Sequence, residues 1–235
     1  MKTAPPNTAR FALLLQGEPK VLSDWVQNWT VRHLLLNLAV IIGGTAAYGA
    51  AMGVWRDEMQ AVYTGIKLPL VILLTIFGNA LLNGMLAPLF GANLTFRQSL
   101  LAVMMSFAAA SAILGAFSPL IFFLVWNSPP FADRSQAGAV HSFILLTHVA
   151  VIGFAGVTGN LQLFRFLAHA TGNRAAALKI LFSWLLANLF FGTQLSWILR
   201  PFVGSPGLPL QFLRDDALRG NFFEAVFHAI RHLTR

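Results

Sequence analysis

The sequence predicts an all-α protein, a polytopic bundle of about five transmembrane helices, from three observations. Five apolar stretches lie between Leu34 and Leu199, each near or above the ~20 residues that one helix needs to cross a bilayer core ~30 Å thick. Of the 235 residues, 57% are hydrophobic and 10% are charged, whereas an average soluble domain has about 25% charged residues. Residues 68–90 contain no ionisable side chain. Lipid must therefore cover part of the surface.

The chain is expected to form one helical domain between two interfacial segments. We assign residues 1–30 to an N-terminal segment, 31–200 to the transmembrane domain, and 201–235 to a C-terminal loop and amphipathic helix. Because cysteine is absent, disulfides, thiolate metal sites and a cysteine nucleophile are excluded. The net charge of +8 comes from scattered Lys and Arg, which is typical of contact with anionic lipid headgroups rather than with nucleic acid.

The N-terminal segment is predicted to lie at the membrane surface. It does not read as a signal peptide, because its apolar run at 11–15 is short and is followed by Glu18 and Lys20. After Pro19, a short helix can place apolar and aromatic residues on one face, and Trp rings favour the headgroup region. These residues are Val21, Leu22, Trp25 and Trp29.

Each span is delimited by polar or helix-breaking residues. The segment 55–67, rich in polar residues, is expected to be a loop, and so is the Pro-containing segment 127–138. The third span is the longest and contains Pro119, which predicts a tilt or a kink. The spans are expected at residues 31–52, 68–86, 96–126, 139–161 and 175–199.

Small residues recur at four-residue spacing in the first span and are frequent in the fourth. Gly43, Ala47 and Ala51 form one such row, and Gly49 and Gly53 form another. In lipid, this spacing lets two helix backbones approach closely. The pattern predicts tight helix association.

The C-terminal segment is predicted to leave the membrane and end in a surface helix. Its first part is rich in Pro and Gly and cannot continue a helix. Asn221 followed by Glu224 fits a capping box that starts a short amphipathic helix. With five spans, Lys and Arg divide equally between the two sides, so the positive-inside rule assigns no orientation. A sixth crossing would place both basic tails inside.

Polar side chains within spans are the best candidates for function, because unsatisfied polar groups are costly in a membrane. The second span has a pair at four-residue spacing, and the fourth has two histidines seven residues apart. The fifth has a pair near its end. These residues are Asn79 and Asn83, His141 and His148, and Asn188 and Gln194.

The histidines have two interpretations. Each could ligate a haem or metal or relay protons, but at seven residues apart the rise of ~10 Å prevents both from binding one ion. His33 is the other candidate ligand near a span. The alternative, which we favour, is a pair of histidines hydrogen-bonded at packed helix faces.

The asparagines could line a polar path or join neighbouring helices, and the second interpretation is favoured. Ion-coupled carriers usually rely on buried carboxylates, and all carboxylates are expected in tails or loops. Gln194, Trp197 and Arg200 share a face where the last span leaves the membrane. We expect them to form an interface anchor, in which Arg200 reaches lipid phosphate, helix-end carbonyls or Asp215 and Asp216, and which can also dock a partner subunit.

The layout resembles a known family. A polar N-terminal segment followed by five closely spaced spans rich in small residues, over about residues 30–200, resembles the Yip1-type family of multi-pass membrane proteins. The long basic C-terminal tail departs from that pattern. The sequence GTQLSWILRPFVGSP at 192–206 resembles a recurring feature of uncharacterised bacterial multi-pass proteins. The resemblance implies a transmembrane bundle and carries no activity or functional residue.

The sequence therefore predicts a non-enzymatic membrane scaffold, anchor or accessory subunit of a larger complex, in a bacterial cytoplasmic membrane. No nucleophile, zinc-protease or phosphate-loop motif is present. The expected partners are the bilayer, its anionic headgroups and other membrane subunits, with no metal, cofactor or nucleic acid. Two alternatives stay open: a channel or transporter lined by Asn79, Asn83, His141 and His148, and a haem-bearing redox subunit that uses one of the histidines.

Overall fold

The computed structural model describes residues 18–28, 30–89, 95–130, 137–204 and 209–224, without the side chains of residues 19, 83–89 and 137. The described part contains helices and no strand, so the all-α prediction is confirmed. Five of the helices, α2 to α6, are long and apolar enough to cross a membrane. The helices are α1 (Pro19–Gln27), α2 (Val31–Gly53), α3 (Glu58–Leu89), α4 (Phe96–Trp126), α5 (Ala137–Thr171) and α6 (Arg174–Ile198).

Side-chain caps begin several of these helices. Thr95 opens α4 with a capping box, in which its hydroxyl accepts from the Gln98 N–H and the Gln98 side chain accepts from the Thr95 N–H. The Asn173 side chain accepts from the first N–H groups of α6. Gly172, with φ of 62°, makes the tight turn between α5 and α6 that a residue with a Cβ would resist.

The five long helices form one bundle. Helix α2 packs against α3 and α4, α4 also packs against α3 and α5, and α6 contacts α3 and α5. We call the end where α2, α4 and α6 begin the proximal end, and the opposite end the distal end. Each end has its own hydrophobic core, with Phe166 and Trp184 in the proximal core and Tyr48 and Trp55 in the distal core.

Glycines let α2 approach its neighbours closely. A Cβ on Gly44 would overlap the Ser111 carbonyl of α4. A Cβ on Gly49 would lie 2.5 Å from the Thr64 carbonyl oxygen of α3, and one on Gly53 would lie 2.5 Å from that of Gln60. The small residues of the first span therefore serve packing within the chain.

The prediction of a loop at 55–67 is wrong over most of its length, because α3 already begins at Glu58. The Asp57 carboxylate accepts a hydrogen bond of 2.8 Å from the Met59 N–H and starts the helix. Polar residues here face the bundle, while Val62 and Ile66 are exposed on the outer face. Hydropathy alone mistook this inward polar face for an aqueous loop. Glu58 thus lies in the first turn of a spanning helix, contrary to the prediction that every carboxylate lies in a tail or loop.

The third span is one unbroken helix, and the fourth is longer than predicted. Helix α4 runs without interruption through Pro119, whose missing N–H would have bonded the Gly115 carbonyl; the Ser118 hydroxyl donates to that oxygen instead, at 2.7 Å. Helix α5 extends to Thr171, beyond the predicted end at 161. The extension is stabilised because Phe166 and Leu167 are buried in the same core as α1.

The terminal segments also differ from expectation. Trp25, expected at the lipid headgroups, is 2% exposed and stacks on His33 with ring centroids 3.7 Å apart, because α1 lies against α4 and α5. Trp29 and residues 1–17 lie outside the described residues. The Asn221 side chain accepts from the Glu224 N–H at 2.9 Å, as an N-cap does, and residues 225–235 of the predicted surface helix lie outside the described part.

Candidate functional site

The chain that follows α6 covers the distal end of the bundle. We call its described residues, 199–204 and 209–224, the C-terminal cap. Arg200 fastens it: one guanidinium nitrogen donates to the Trp197 carbonyl at 2.6 Å, and the other lies 3.2 Å from the Asp216 carboxylate. The guanidinium also stacks over the Trp197 ring at 3.8 Å. The predicted contacts of Arg200 with a helix-end carbonyl and with Asp216 are therefore both present.

The inward polar face of α3 holds the start of the cap. Gln60 Nε2 donates to the Phe202 carbonyl at 2.7 Å and lies 3.1 Å from the Pro201 carbonyl. The Thr64 hydroxyl lies 2.7 Å from the Phe202 oxygen, and Lys67 Nζ donates to the Pro201 oxygen at 3.0 Å. Irregular backbone at membrane depth needs such partners, because no water is there to supply them. These three side chains replace the hydrogen bonds that a continuing helix would have made.

Lys67 is a fully buried cation about 13 Å along α3 from its first residue. Its ammonium lies 5.1 Å from the centre of the Phe212 ring. Arg214 lies two residues after Phe212 on the cap, so it is a neighbour of Lys67. Among the described residues, neither cation forms an ion pair with a carboxylate. Two neighbouring cations thus share this site without a described counter-ion.

A cavity of about 390 Å³ lies beside these cations, between α2, α3, α5, α6 and the cap. Its walls are mostly apolar, with a few polar side chains, as in many small-molecule sites. The polar lining side chains are His141, His148, Ser196 and Arg214, and the apolar ones are Met52, Leu68, Leu145, Val149, Ile152, Pro201, Phe202 and Val203.

His148 is the most buried polar side chain of this lining, at 4% exposure. Its Nδ1 lies 2.8 Å from the hydroxyl of the fully buried Tyr48 on α2. Its Nε2 is buried and has no hydrogen-bond partner among the described residues. When Tyr48 donates to Nδ1, the neutral ring carries its hydrogen on Nε2, so this atom can donate to a ligand in the cavity.

The structure brings His141 and His148 to the same cavity but leaves His33 apart. His141 is half-buried, with its ring centre 5.9 Å from that of Trp55. His33 lies in the first turn of α2, about 22 Å along the helix from Tyr48, the residue that contacts His148. It therefore cannot join either histidine on one haem. Among the described residues, no three His, Asp or Glu side chains are placed to hold a metal ion.

The amides of the second and fifth spans meet away from this cavity. Asn79 Nδ2 on α3 donates to Asn188 Oδ1 on α6 and lies 3.5 Å from the Trp184 carbonyl. Asn83 is in α3, but its side chain lies outside the described part. Gln194 is half-buried and makes no hydrogen bond within the described residues. Trp197 Nε1 donates to the Arg219 carbonyl at 3.3 Å, which adds to the Arg200 contacts of the cap.

Sequence reasoning missed five residues of this site. A signal for three of them exists, because Gln60, Thr64 and Lys67 recur at three- and four-residue spacing opposite a face of apolar residues. Tyr48 and Arg214 give no such signal, since their roles depend on contacts between residues far apart in the chain.

Fold and composition define the chain as a multi-pass membrane protein with an all-helical bundle. No protein-family model, curated protein or solved structure matches this chain.

Proposed function

We propose that the protein is a non-enzymatic anchor or accessory subunit of a larger membrane complex, in a bacterial cytoplasmic membrane. We also propose that the protein is related to the Yip1-type family, whose layout it resembles. The partner that we infer is a transmembrane helix of another chain, bound to the outer face of α5. The anionic headgroups expected at the basic tails complete the set of partners.

The outer face of α5 carries the proposal. Leu146, Ala150, Gly153 and Val157 recur there at three- and four-residue spacing and are all exposed. Facing lipid alone, a glycine gains nothing and costs helix stability of up to about 1 kcal/mol relative to alanine. Within the bundle, Gly44 and Gly49 allow close contact between helices. A Cβ on Gly153, in contrast, would have no atom within 4 Å. A shallow surface between larger side chains suits a second helix.

The paired amides support a packing role over a conducting one. Asn79 donates to Asn188 across α3 and α6, and such a bond between spans contributes about 0.6–2 kcal/mol to helix association. A polar path would need groups that remain available to a passing ion or solute. We therefore favour the accessory subunit over the channel or transporter.

Site-specific photocrosslinking tests the proposal, because the chain contains no cysteine and any introduced thiol is unique. A Val157→Cys variant is labelled with a benzophenone maleimide in native membranes and irradiated. We expect an adduct with a different polypeptide, and its loss when Gly153→Leu fills the surface. The matched control is Leu186→Cys, an exposed position on α6, which should give lipid adducts only. Lipid adducts alone at Val157→Cys, or an adduct of two copies of this chain, would contradict the proposal.

A further inference from the structure

The distal cavity lies in a region of uncompensated positive charge. Arg214 lines it directly, and Lys67 lies behind the wall formed by Pro201, to whose carbonyl it donates. On the cap, the Asp216 carboxylate is bound to Arg200. Asp215 shares a separate surface recess with Arg214 and is exposed. Lys67 is fully buried and its described partners, the Pro201 carbonyl and the Phe212 ring, are uncharged, so an anion at this place would stabilise its charge.

The cavity also offers a directed hydrogen-bond donor and an apolar wall. His148 lines the cavity, and its Nε2 is buried and has no partner among the described residues. Leu145, Val149 and Ile152 line the cavity on one side and are exposed on the outer surface of α5. The cavity therefore opens on the surface that faces lipid, and a ligand can enter it from the bilayer.

We propose that this cavity binds a single-chain anionic amphiphile from the membrane, with its acidic head near Arg214 and His148 and its hydrocarbon chain along Leu145, Val149 and Ile152. The apolar wall favours an amphiphile over a small hydrophilic anion, and the cations favour an anionic head over a neutral or cationic one. A carboxylate or phosphate head would accept hydrogen bonds from the guanidinium and from His148 Nε2. The site does not depend on the partner helix proposed for α5, whose surface residues are centred on Gly153.

Native mass spectrometry of the purified full chain in an uncharged detergent tests this inference with laurate as the probe. We expect one bound laurate, with half-saturation at a concentration about tenfold or more below that for dodecanol, which has the same chain without the charge. Arg214→Gln should raise the laurate concentration needed for half-saturation by about tenfold or more, since the substitution removes a charged donor. The control, Arg219→Gln, removes the same charge from an exposed cap position and should leave binding within about twofold.

Lys67→Met provides a second variant, whose unbranched side chain is one atom shorter and carries no charge. It should weaken laurate binding relative to dodecanol in protein that still melts cooperatively. Equal binding of laurate and dodecanol would overturn the inference, as would unchanged laurate binding in Arg214→Gln. Competition by butyrate at the same concentration would also overturn it, because the ligand would then be a soluble anion and not an amphiphile.

Discussion

Gln60, Thr64 and Lys67 show how single residues support the backbone just after the last helix ends. All three are fully buried, and they supply donors to the Pro201 and Phe202 carbonyls. In a soluble helix these residue types would face water, whereas here the outer face is apolar and the polar face points inward. The non-helical start of the cap is possible because α3 satisfies it.

Replacing Gln60 with an apolar residue should therefore destabilise the protein, although apolar residues are usually favoured in a spanning helix. Gln60→Leu removes one donor from each of the Phe202 and Pro201 carbonyls, which keep Thr64 and Lys67 as partners, and each hydrogen bond lost contributes about 0.5–1.5 kcal/mol. We expect a clear fall in melting temperature, measured by differential scanning fluorimetry in a fixed detergent. Val62→Leu, on the exposed face of the same helix, should change stability by less than about 0.5 kcal/mol. Equal melting temperatures for the two variants would contradict this role of Gln60.

The sequence predicts these residue roles only in part. The Asn79 and Asn188 amides were identified from their place in apolar spans, because polarity against an apolar background is a local signal. Hydropathy places Lys67 at the end of the predicted loop 55–67, because it cannot distinguish an inward polar helix face from a segment exposed to water. Tyr48 belongs to no sequence motif. Its hydroxyl contributes to the site only because His148, one hundred positions later, lies 2.8 Å from it.

At the level of elements, α2 illustrates how neighbouring glycines serve different purposes. Gly43 and Gly44 are adjacent, yet a Cβ on Gly43 would meet nothing within 4 Å and one on Gly44 would overlap the Ser111 carbonyl. The sequence predicts the ends of α2, α4 and α6 to within one residue, because these ends carry caps and helix-breaking residues. The predicted α3 and α5 are too short. The additional turns of α3 are stabilised by contacts with the cap, and those of α5 by contacts with α1.

This contrast gives a matched pair of substitutions. Gly44→Ala should force α2 and α4 apart and destabilise the bundle by about 1–3 kcal/mol, as overpacking does. Gly43→Ala adds the same methyl group where there is space, and should leave stability unchanged or raise it by up to about 1 kcal/mol. Unfolding of both variants by a denaturing detergent, followed by tryptophan fluorescence, measures the difference. The distinct role of Gly44 is refuted by equal stabilities.

At the level of the whole molecule, the two ends of the bundle are covered differently. The proximal end is covered by α1, whose Leu22, Trp25 and Val26 are buried in an apolar core. The distal end is covered by the C-terminal cap, which is held by polar contacts and by Val203 in the distal core, and which leaves a cavity beneath it. The distal end is therefore where a ligand can be bound without disturbing the bundle.

If Arg200 fastens the cap, weakening it should open the cavity without unfolding the helices. Ser196 lines the cavity and, as Ser196→Cys, would be the only thiol in the chain. Arg200→Gln removes the ion pair with Asp216 and the stacking on Trp197, so a membrane-impermeant maleimide should label Ser196→Cys faster in that background. Ser142→Cys, exposed near the start of α5, should be labelled at the same rate with and without Arg200→Gln. Circular dichroism of equal helical content shows that the bundle is intact. Unchanged labelling of Ser196→Cys would mean that the α3 contacts alone hold the cap, because Gln60 and Lys67 still bind the Pro201 and Phe202 carbonyls when the Arg200 contacts are lost.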